Sequence, residues 1–156
     1  MPNALANDSG ALLVRIGSRC CAFPLEDVVE TLRPLPIEPV DNMPPGILGL
    51  ATIRGLMVPI VDLAFLFGGQ RNPCPSRFVL LRLDERRAAV AVDEVFRVSR
   101  LDNQALQTFP PLLRGALADA VTAIELRDER LLFVLAAARL IPEDAWKKLE
   151  SSEVMS

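Results

Sequence analysis

The side chains that could carry out chemistry in this sequence are carboxylates, arginines and thiols, because histidine and tyrosine are both absent. Without histidine there is no Ser-His or Cys-His nucleophile pair and no imidazole to ligate a metal. The three cysteines, Cys20, Cys21 and Cys74, cannot form a four-cysteine zinc site. No phosphate-binding or dinucleotide-binding glycine pattern occurs. We therefore expect no cofactor and no metal, and any catalysis would have to use carboxylates alone.

Asp62 and Asp93 are the two carboxylates that invite a paired acid/base interpretation. Each directly follows a predicted strand, where an aspartate commonly caps the next turn by accepting hydrogen bonds from backbone N–H groups. We therefore interpret both as structural turn residues. A small carboxylate-based enzyme remains the alternative, and it requires these two side chains to converge in a deep cleft.

The charge balance and the hydropathy pattern limit the classes of partner. The formal net charge is -3 and the pI is about 5.0, with the arginines spread along the chain. Nucleic-acid binding needs a basic face to neutralise phosphates, so we do not expect it. No uncharged stretch approaches the roughly 20 apolar residues of a membrane-spanning helix, and residues 1–8 do not resemble a secretion signal. These features favour a cytoplasmic protein without direct membrane insertion.

The elements that must position any site are short apolar runs separated by turn residues, which predicts an all-β protein. Five prolines between Arg33 and Gly46 exclude a helix or a central strand there. Pro142, followed by acidic and then basic residues, predicts a short C-terminal helix over about 142–150. The predicted strands, about ten in number, are 11–16, 20–23, 28–32, 48–53, 56–61, 78–83, 88–92, 95–101, 121–126 and 131–135.

The clearest predicted hairpin joins 48–53 to 56–61 through Arg54-Gly55, and Gly55 suits a turn position with positive φ. Val28 and Glu30 lie two residues apart on a predicted strand, so strict alternation would place both on one face. If Val29 faces the core, these two side chains are exposed as a small binding patch.

Three stretches of the sequence stand out: CAFPLEDVVE over 21–30, GLATIRGLMVPIVDL over 49–63 and VDEV over 92–95. They resemble motifs of the CheW-like family, which occur there in the same order and at similar separation, and the resemblance runs from about Leu12 to Leu140. Two departures from the family motifs occur: Thr52-Ile53 replaces the usual Asn-Leu, and Cys21 stands where an aromatic residue is common.

The resemblance implies two SH3-like five-stranded β-barrels packed side by side in a single domain over 1–156. In sequence order, the first barrel would take strands mainly from about 11–67 and the second mainly from about 77–140. It also implies a non-enzymatic adaptor that couples methyl-accepting chemoreceptors to the histidine kinase CheA. The expected partners are the regulatory domain of CheA and the cytoplasmic tip of the receptor, in arrays at the inner face of the membrane.

The same resemblance implies which residues bind the partners. Arg54 is the first candidate, because its planar guanidinium can bind a carboxylate or the backbone carbonyls of a helix tip. Val28, Glu30 and Gly49 match family positions in the receptor-binding groove, and the missing side chain of Gly49 would let a partner helix approach closely. Gly55 is expected to be a turn residue. The remaining alternative is a CheW-like regulatory module that binds a kinase without a receptor.

Overall fold

The computed structural model describes residues 10–68, 74–101, 106–107 and 119–151. Within these residues the chain is mostly β, with two short helices, α1 (Leu63–Leu66) and α2 (Glu143–Glu150). The ends of the expected domain, 1–9 and 152–156, lie outside the described residues. The strands are β1 (Gly10–Ile16), β2 (Arg19–Pro24), β3 (Val28–Leu32), β4 (Ile47–Ile53), β5 (Leu56–Asp62), β6 (Arg77–Leu83), β7 (Arg86–Val92), β8 (Glu94–Arg100), β9 (Leu106–Gln107), β10 (Val121–Arg127) and β11 (Arg130–Leu135).

The strands form two sheets, and the all-β prediction is confirmed. The first sheet has six strands in the order β8-β1-β2-β11-β10-β9, and the second has five in the order β3-β6-β7-β5-β4. The sixth strand of the first sheet, β9, has only two residues. The predicted C-terminal helix is also present, as α2.

Each sheet takes most of its strands from one half of the chain and the remaining strands from the other half. The strands β1 and β2 join β8 to β11, whereas β3 to β7 form the second sheet. Four ladders join strands from different halves: the antiparallel pairs β1–β8 and β3–β6, and the parallel pairs β2–β11 and β5–β7. Parallel partners are distant in sequence and have no turn signal between them, so a reading of hairpins alone misses them.

The core has three parts that follow from strand alternation. On β1, Leu12, Val14 and Ile16 face the large cluster between the two sheets, whereas Ala11 and Leu13 face the other side of the first sheet. A third cluster, which includes Phe78, Leu80 and Ile60, lies on the far side of the second sheet. Each sheet is therefore covered with apolar residues on both faces.

Helix α2 is held against the large cluster between the two sheets, which we call the central cluster. Trp146 makes this contact and is buried together with Ala145 and Leu149. Arg86 of β7 lies over the Trp146 ring, with the guanidinium carbon 4.8 Å from the ring centroid. The same arginine donates hydrogen bonds to Glu143 and Glu150, at opposite ends of the helix. A cation over an aromatic face and two carboxylates together fix the orientation of the helix.

In the first sheet, an ion pair that we call the first-sheet clamp consists of Arg127 and Glu125 on β10. Arg127 Nε donates to Glu125 Oε1 at 2.6 Å, and the Glu125 side chain is only 3% exposed. The same guanidinium donates to the Ser99 hydroxyl oxygen at 3.2 Å and to the Arg100 carbonyl oxygen at 2.9 Å, both on β8. Because β8 is an edge strand and β10 lies near the opposite edge, these contacts show that the sheet curls upon itself.

Candidate functional site

The hairpin between β4 and β5 presents Arg54 at its tip. Ile53 pairs with Leu56, so the connection consists of Arg54 and Gly55 alone. Both residues have positive φ, 53° for Arg54 and 81° for Gly55, as a type I′ turn requires. Glycine adopts this conformation freely, whereas an arginine adopts it at a cost. The turn therefore holds a large charged side chain at a position where glycine, asparagine or aspartate is more usual.

Arg54 forms a bidentate ion pair with Glu30, which we call the second-sheet clamp. Arg54 Nε donates to Glu30 Oε2 at 2.9 Å, and Arg54 Nη2 donates to Glu30 Oε1 at 2.8 Å. Glu30 lies on β3 and Arg54 follows β4, and these two strands are the opposite edges of the second sheet. The sequence proposed both residues for one binding site, and the structure brings them into contact.

The electrostatics of the second-sheet clamp follow from this geometry. The hydrogen bonds from Arg54 lower the pKa of the Glu30 carboxyl below its ordinary value, and the positive charge acts in the same direction. The hydrogen bonds to Glu30 likewise raise the pKa of Arg54. The Arg54 side chain is still 71% exposed. The pair is therefore ionised near neutral pH and open to a partner.

Val28 does not share a face with Glu30, and this corrects the prediction from strict alternation. Along the β3–β6 ladder, Val28 pairs with Leu81 and Glu30 pairs with the adjacent residue, Leu80. A β-bulge between Val28 and Glu30 inserts one extra residue and so reverses the alternation. Val28 packs against the central cluster, while Glu30 lies on the face of Leu80, toward the other cluster of the second sheet.

Gly49 also differs from its expected role, since it is buried against its own chain. It has a φ of 148°, and an added Cβ would overlap the carbonyl oxygen of Glu38 and lie 2.8 Å from Ile37 Cγ2. The neighbouring Leu50 exchanges backbone hydrogen bonds with Glu38, at 2.7 and 2.8 Å. The segment before β4 therefore occupies the space left by the missing side chain, so that space is closed to a partner helix.

The two aspartates hold turns in different ways. The Asp62 carboxylate is buried and accepts from the Phe65 backbone N–H at 3.4 Å, so it caps α1. Asp93 accepts from the Gly17 backbone N–H at 2.6 Å. It therefore supports the turn between β1 and β2, where we had expected it to cap the turn that follows it. Gly55 occupies the turn position expected for it.

The described residues show no arrangement that supports the carboxylate enzyme. Three cavities of about 200, 330 and 380 Å³ are formed by described residues, and neither Asp62 nor Asp93 lines any of them. In the same parts of the chain, no three histidine, cysteine or acidic residues are placed to hold a metal ion. No helix among them is both long and apolar enough to cross a bilayer.

Leu56 is a candidate that the sequence analysis missed. It directly follows the Arg54-Gly55 turn and is 54% exposed, so it places an apolar side chain next to the second-sheet clamp. Leu25 and Val98 are also exposed and lie together, since both are close to the position that a Cβ on Gly10 would take. Leu56 could have been suspected from the sequence, because the residue after a two-residue turn is poorly covered by the sheet.

The comparisons with known proteins agree with this architecture. A family model described as a CheW-like domain matches residues 10–145. The chain belongs to the CheW-like family. As a CheW-like protein, it is a non-enzymatic adaptor of chemotaxis signalling, and this excludes the enzyme alternative.

Individual relatives are distant in sequence but similar in extent. The chain is 21% identical over 131 residues to the chemotaxis protein CheW of Helicobacter pylori, covering 83% of this chain and 79% of that protein. It is 20% identical over 156 residues to the CheW of Treponema pallidum, covering 96% and 92%. The crystal structure of the scaffolding protein TtCheW from Thermoanaerobacter tengcongensis superimposes with a TM-score of 0.77 at 20% identity, covering 93% of this chain and 92% of that one. This superposition shows that the CheW-like fold is shared.

Proposed function

We propose that this CheW-like protein couples a methyl-accepting chemoreceptor to the histidine kinase CheA at the cytoplasmic side of the membrane. The observation that carries the proposal is the second-sheet clamp, a bidentate ion pair held at a hairpin tip with its arginine 71% exposed. Exposed ion pairs contribute little to folding stability. A site that keeps an arginine in a costly turn conformation is better explained by binding than by stability.

The clamp leaves donors available for a receptor. Of the five guanidinium N–H groups of Arg54, the two bonds to Glu30 use one on Nε and one on Nη2. The Nη1 group can therefore donate to another acceptor without breaking the clamp. The last carbonyl groups of a helix have no intrahelical partner and carry partial negative charge, so a helical receptor tip offers such acceptors. Leu56 would add an apolar contact beside them.

For the kinase, we propose that the regulatory domain of CheA, itself CheW-like, docks against strand edges and exposed apolar side chains. Among the described residues, the edge strands β3 and β8 each have one side without a ladder partner, whereas Glu38 already pairs with Leu50 at the edge of β4. Such edges are natural docking sites for another sheet protein. Each contact would be modest, with the receptor array supplying avidity.

Co-sedimentation with receptor-containing membranes, with and without CheA, tests the proposal. Wild type should pellet with the receptors and recruit CheA, whereas Arg54→Ala should lose most receptor binding while it still binds CheA. Arg82→Ala is the matched control, because Arg82 is an exposed arginine on β6 of the same sheet.

Each other outcome selects a different conclusion. If wild type recruits CheA but never binds receptor, the protein is a kinase regulator that acts without a receptor. If Arg54→Ala and Arg82→Ala both bind receptor as wild type does, the second-sheet clamp is not the receptor site. Binding to neither partner would contradict the coupling function.

A further inference from the structure

We infer that the curled face of the first sheet contains a binding site for a small amphipathic carboxylate, beside the β8 edge that we propose for kinase docking. The observation is a cavity of about 200 Å³ lined by residues of β1, β2, β8, β10 and β11. Its inner wall is apolar, with Leu13 and Leu132 both nearly fully buried, and Cys20 beside them. Phe96 and Leu131 form an outer rim and are 40% and 50% exposed.

Three guanidinium groups surround this apolar cavity, those of Arg97, Arg127 and Arg130. The strand register places them on one face. Arg97 pairs with Leu13 across the β1–β8 ladder, and Arg130 pairs with Arg127 across the β10–β11 ladder. Directly opposed residues point to the same side of a sheet.

The charges at this cavity do not balance. Like charges directly opposite each other in a ladder are destabilising, yet Arg127 and Arg130 occupy such a pair. Glu125 neutralises Arg127 through the first-sheet clamp, and Asp128 is the other carboxylate at the cavity. Arg97 and Arg130 are both exposed. Neither side chain forms a hydrogen bond or an ion pair with another described residue. The described residues of the cavity and the first-sheet clamp therefore carry three positive charges and two negative ones.

The shape and position of the cavity select the kind of ligand. It lies on the curled face of the sheet, where the edge strand β8 approaches β10, and so resembles the small-ligand sites at the mouths of β-barrels. Its volume is below the roughly 300 Å³ at which sites for drug-sized ligands begin. A short acyl chain would lie against Leu13 and Leu132, and its carboxylate would meet Arg97 and Arg130, whose planar forks suit that group.

Alkylation of Cys20 in the full chain, with octanoate as the probe ligand, tests this inference. Cys20 is partly buried in the cavity wall, Cys74 is exposed elsewhere, and burial raises the pKa of Cys21 and keeps that thiol unreactive. Octanoate should slow the reaction of Cys20 with the neutral reagent iodoacetamide, measured by peptide mass spectrometry, and leave Cys74 unchanged. Amide shifts of Arg97 and Leu131 during an octanoate titration give a second readout that does not depend on thiol reactivity.

Two variants and a neutral ligand test the role of the arginines. Arg97→Gln and Arg130→Gln should each weaken octanoate binding by about tenfold, since each removes a charge-assisted hydrogen bond. Arg33→Gln, at an exposed arginine before β4, should bind as wild type does. Octanol should bind more weakly than octanoate. Any of three results would overturn the inference. Octanol could bind as well as octanoate, all three variants could bind octanoate equally, or millimolar octanoate could cause neither amide shifts nor protection of Cys20.

Discussion

The two sheets use the same chemistry, an arginine beside a glutamate, in opposite surroundings. The first-sheet clamp joins Arg127 to Glu125, whose side chain is 3% exposed, and it also reaches the β8 backbone. The second-sheet clamp joins Glu30 to Arg54, whose side chain is 71% exposed. Burial therefore separates the two pairs: the buried Glu125 carboxylate depends on its arginine for stability, whereas the exposed pair contributes little to stability.

The largest expected effect comes from Arg127→Ala, which leaves the Glu125 carboxylate buried without its arginine. Breaking a buried pair from one side costs about 3–5 kcal/mol of unfolding free energy. Urea denaturation followed by circular dichroism measures this loss. The double variant Arg127→Leu with Glu125→Leu is the control and should recover much of it. A loss no larger than that of an ordinary surface substitution would show that burial does not separate the two clamps.

The next effect tests what holds the edge of the second sheet. Gly49→Ala should lower the free energy of unfolding by about 2 kcal/mol or more, because the new methyl group meets the Glu38 carbonyl at a positive φ. Gly55→Ala is the matched control, since no atom lies within 4 Å of a Cβ at that turn. Both variants are measured by urea denaturation. Equal losses would mean that only the positive φ matters and that the packing at Gly49 does not.

Arg54→Ala should change stability little and receptor binding strongly, the reverse of the Arg127→Ala result. The urea midpoint should match that of wild type within error, because the ion pair is exposed and screened by solvent. Receptor binding in the sedimentation assay should fall at least tenfold. A large drop in the midpoint would make the second-sheet clamp a structural element like the first and would remove the contrast.

The smallest effect is on the titration of Glu30, whose pKa is lowered by the hydrogen bonds from Arg54. Because the folded-state pKa of Glu30 is lowered, its contribution to the free energy of unfolding is complete above the unfolded-state pKa, near 4.5. This contribution is lost as the pH falls through the folded-state pKa. Carbon-13 NMR of the Glu30 carboxyl should therefore show a midpoint below 4.5 in wild type. Arg54→Ala should move it upward, and an unchanged midpoint would contradict the pairing in solution.

The sequence was most informative where structure is local. The hairpin around Arg54-Gly55, the C-terminal helix and the all-β class follow from turn residues, proline positions and alternation, and the motifs indicated the family. The contact between Arg54 and Glu30 could not be derived from local pattern, because it joins opposite edges of a sheet. Only the family motifs placed both residues in one site.

Two site residues were misjudged for identifiable physical reasons. Alternation placed Val28 beside Glu30, but the bulge between them adds a residue and reverses the faces. Gly49 was expected to let a partner helix approach, because nothing in the local sequence shows that residues 37–38 lie across it. Which strands cross between the halves could not be predicted for a similar reason, since the ladders that join them pair residues far apart in the chain.

The parallel pairing of β2 with β11 also governs how the chain folds during synthesis. Cys21 pairs with Phe133, so the first sheet cannot close until the last strand has left the ribosome. The strands β1 and β2 are synthesised first, and all five strands of the second sheet are synthesised before β8 to β11 can complete the first sheet. Such long-range pairing slows folding and leaves strand edges exposed to aggregation in the meantime. A nascent chain stalled before β11 would present an incomplete first sheet to chaperones, even with every strand of the second sheet already synthesised.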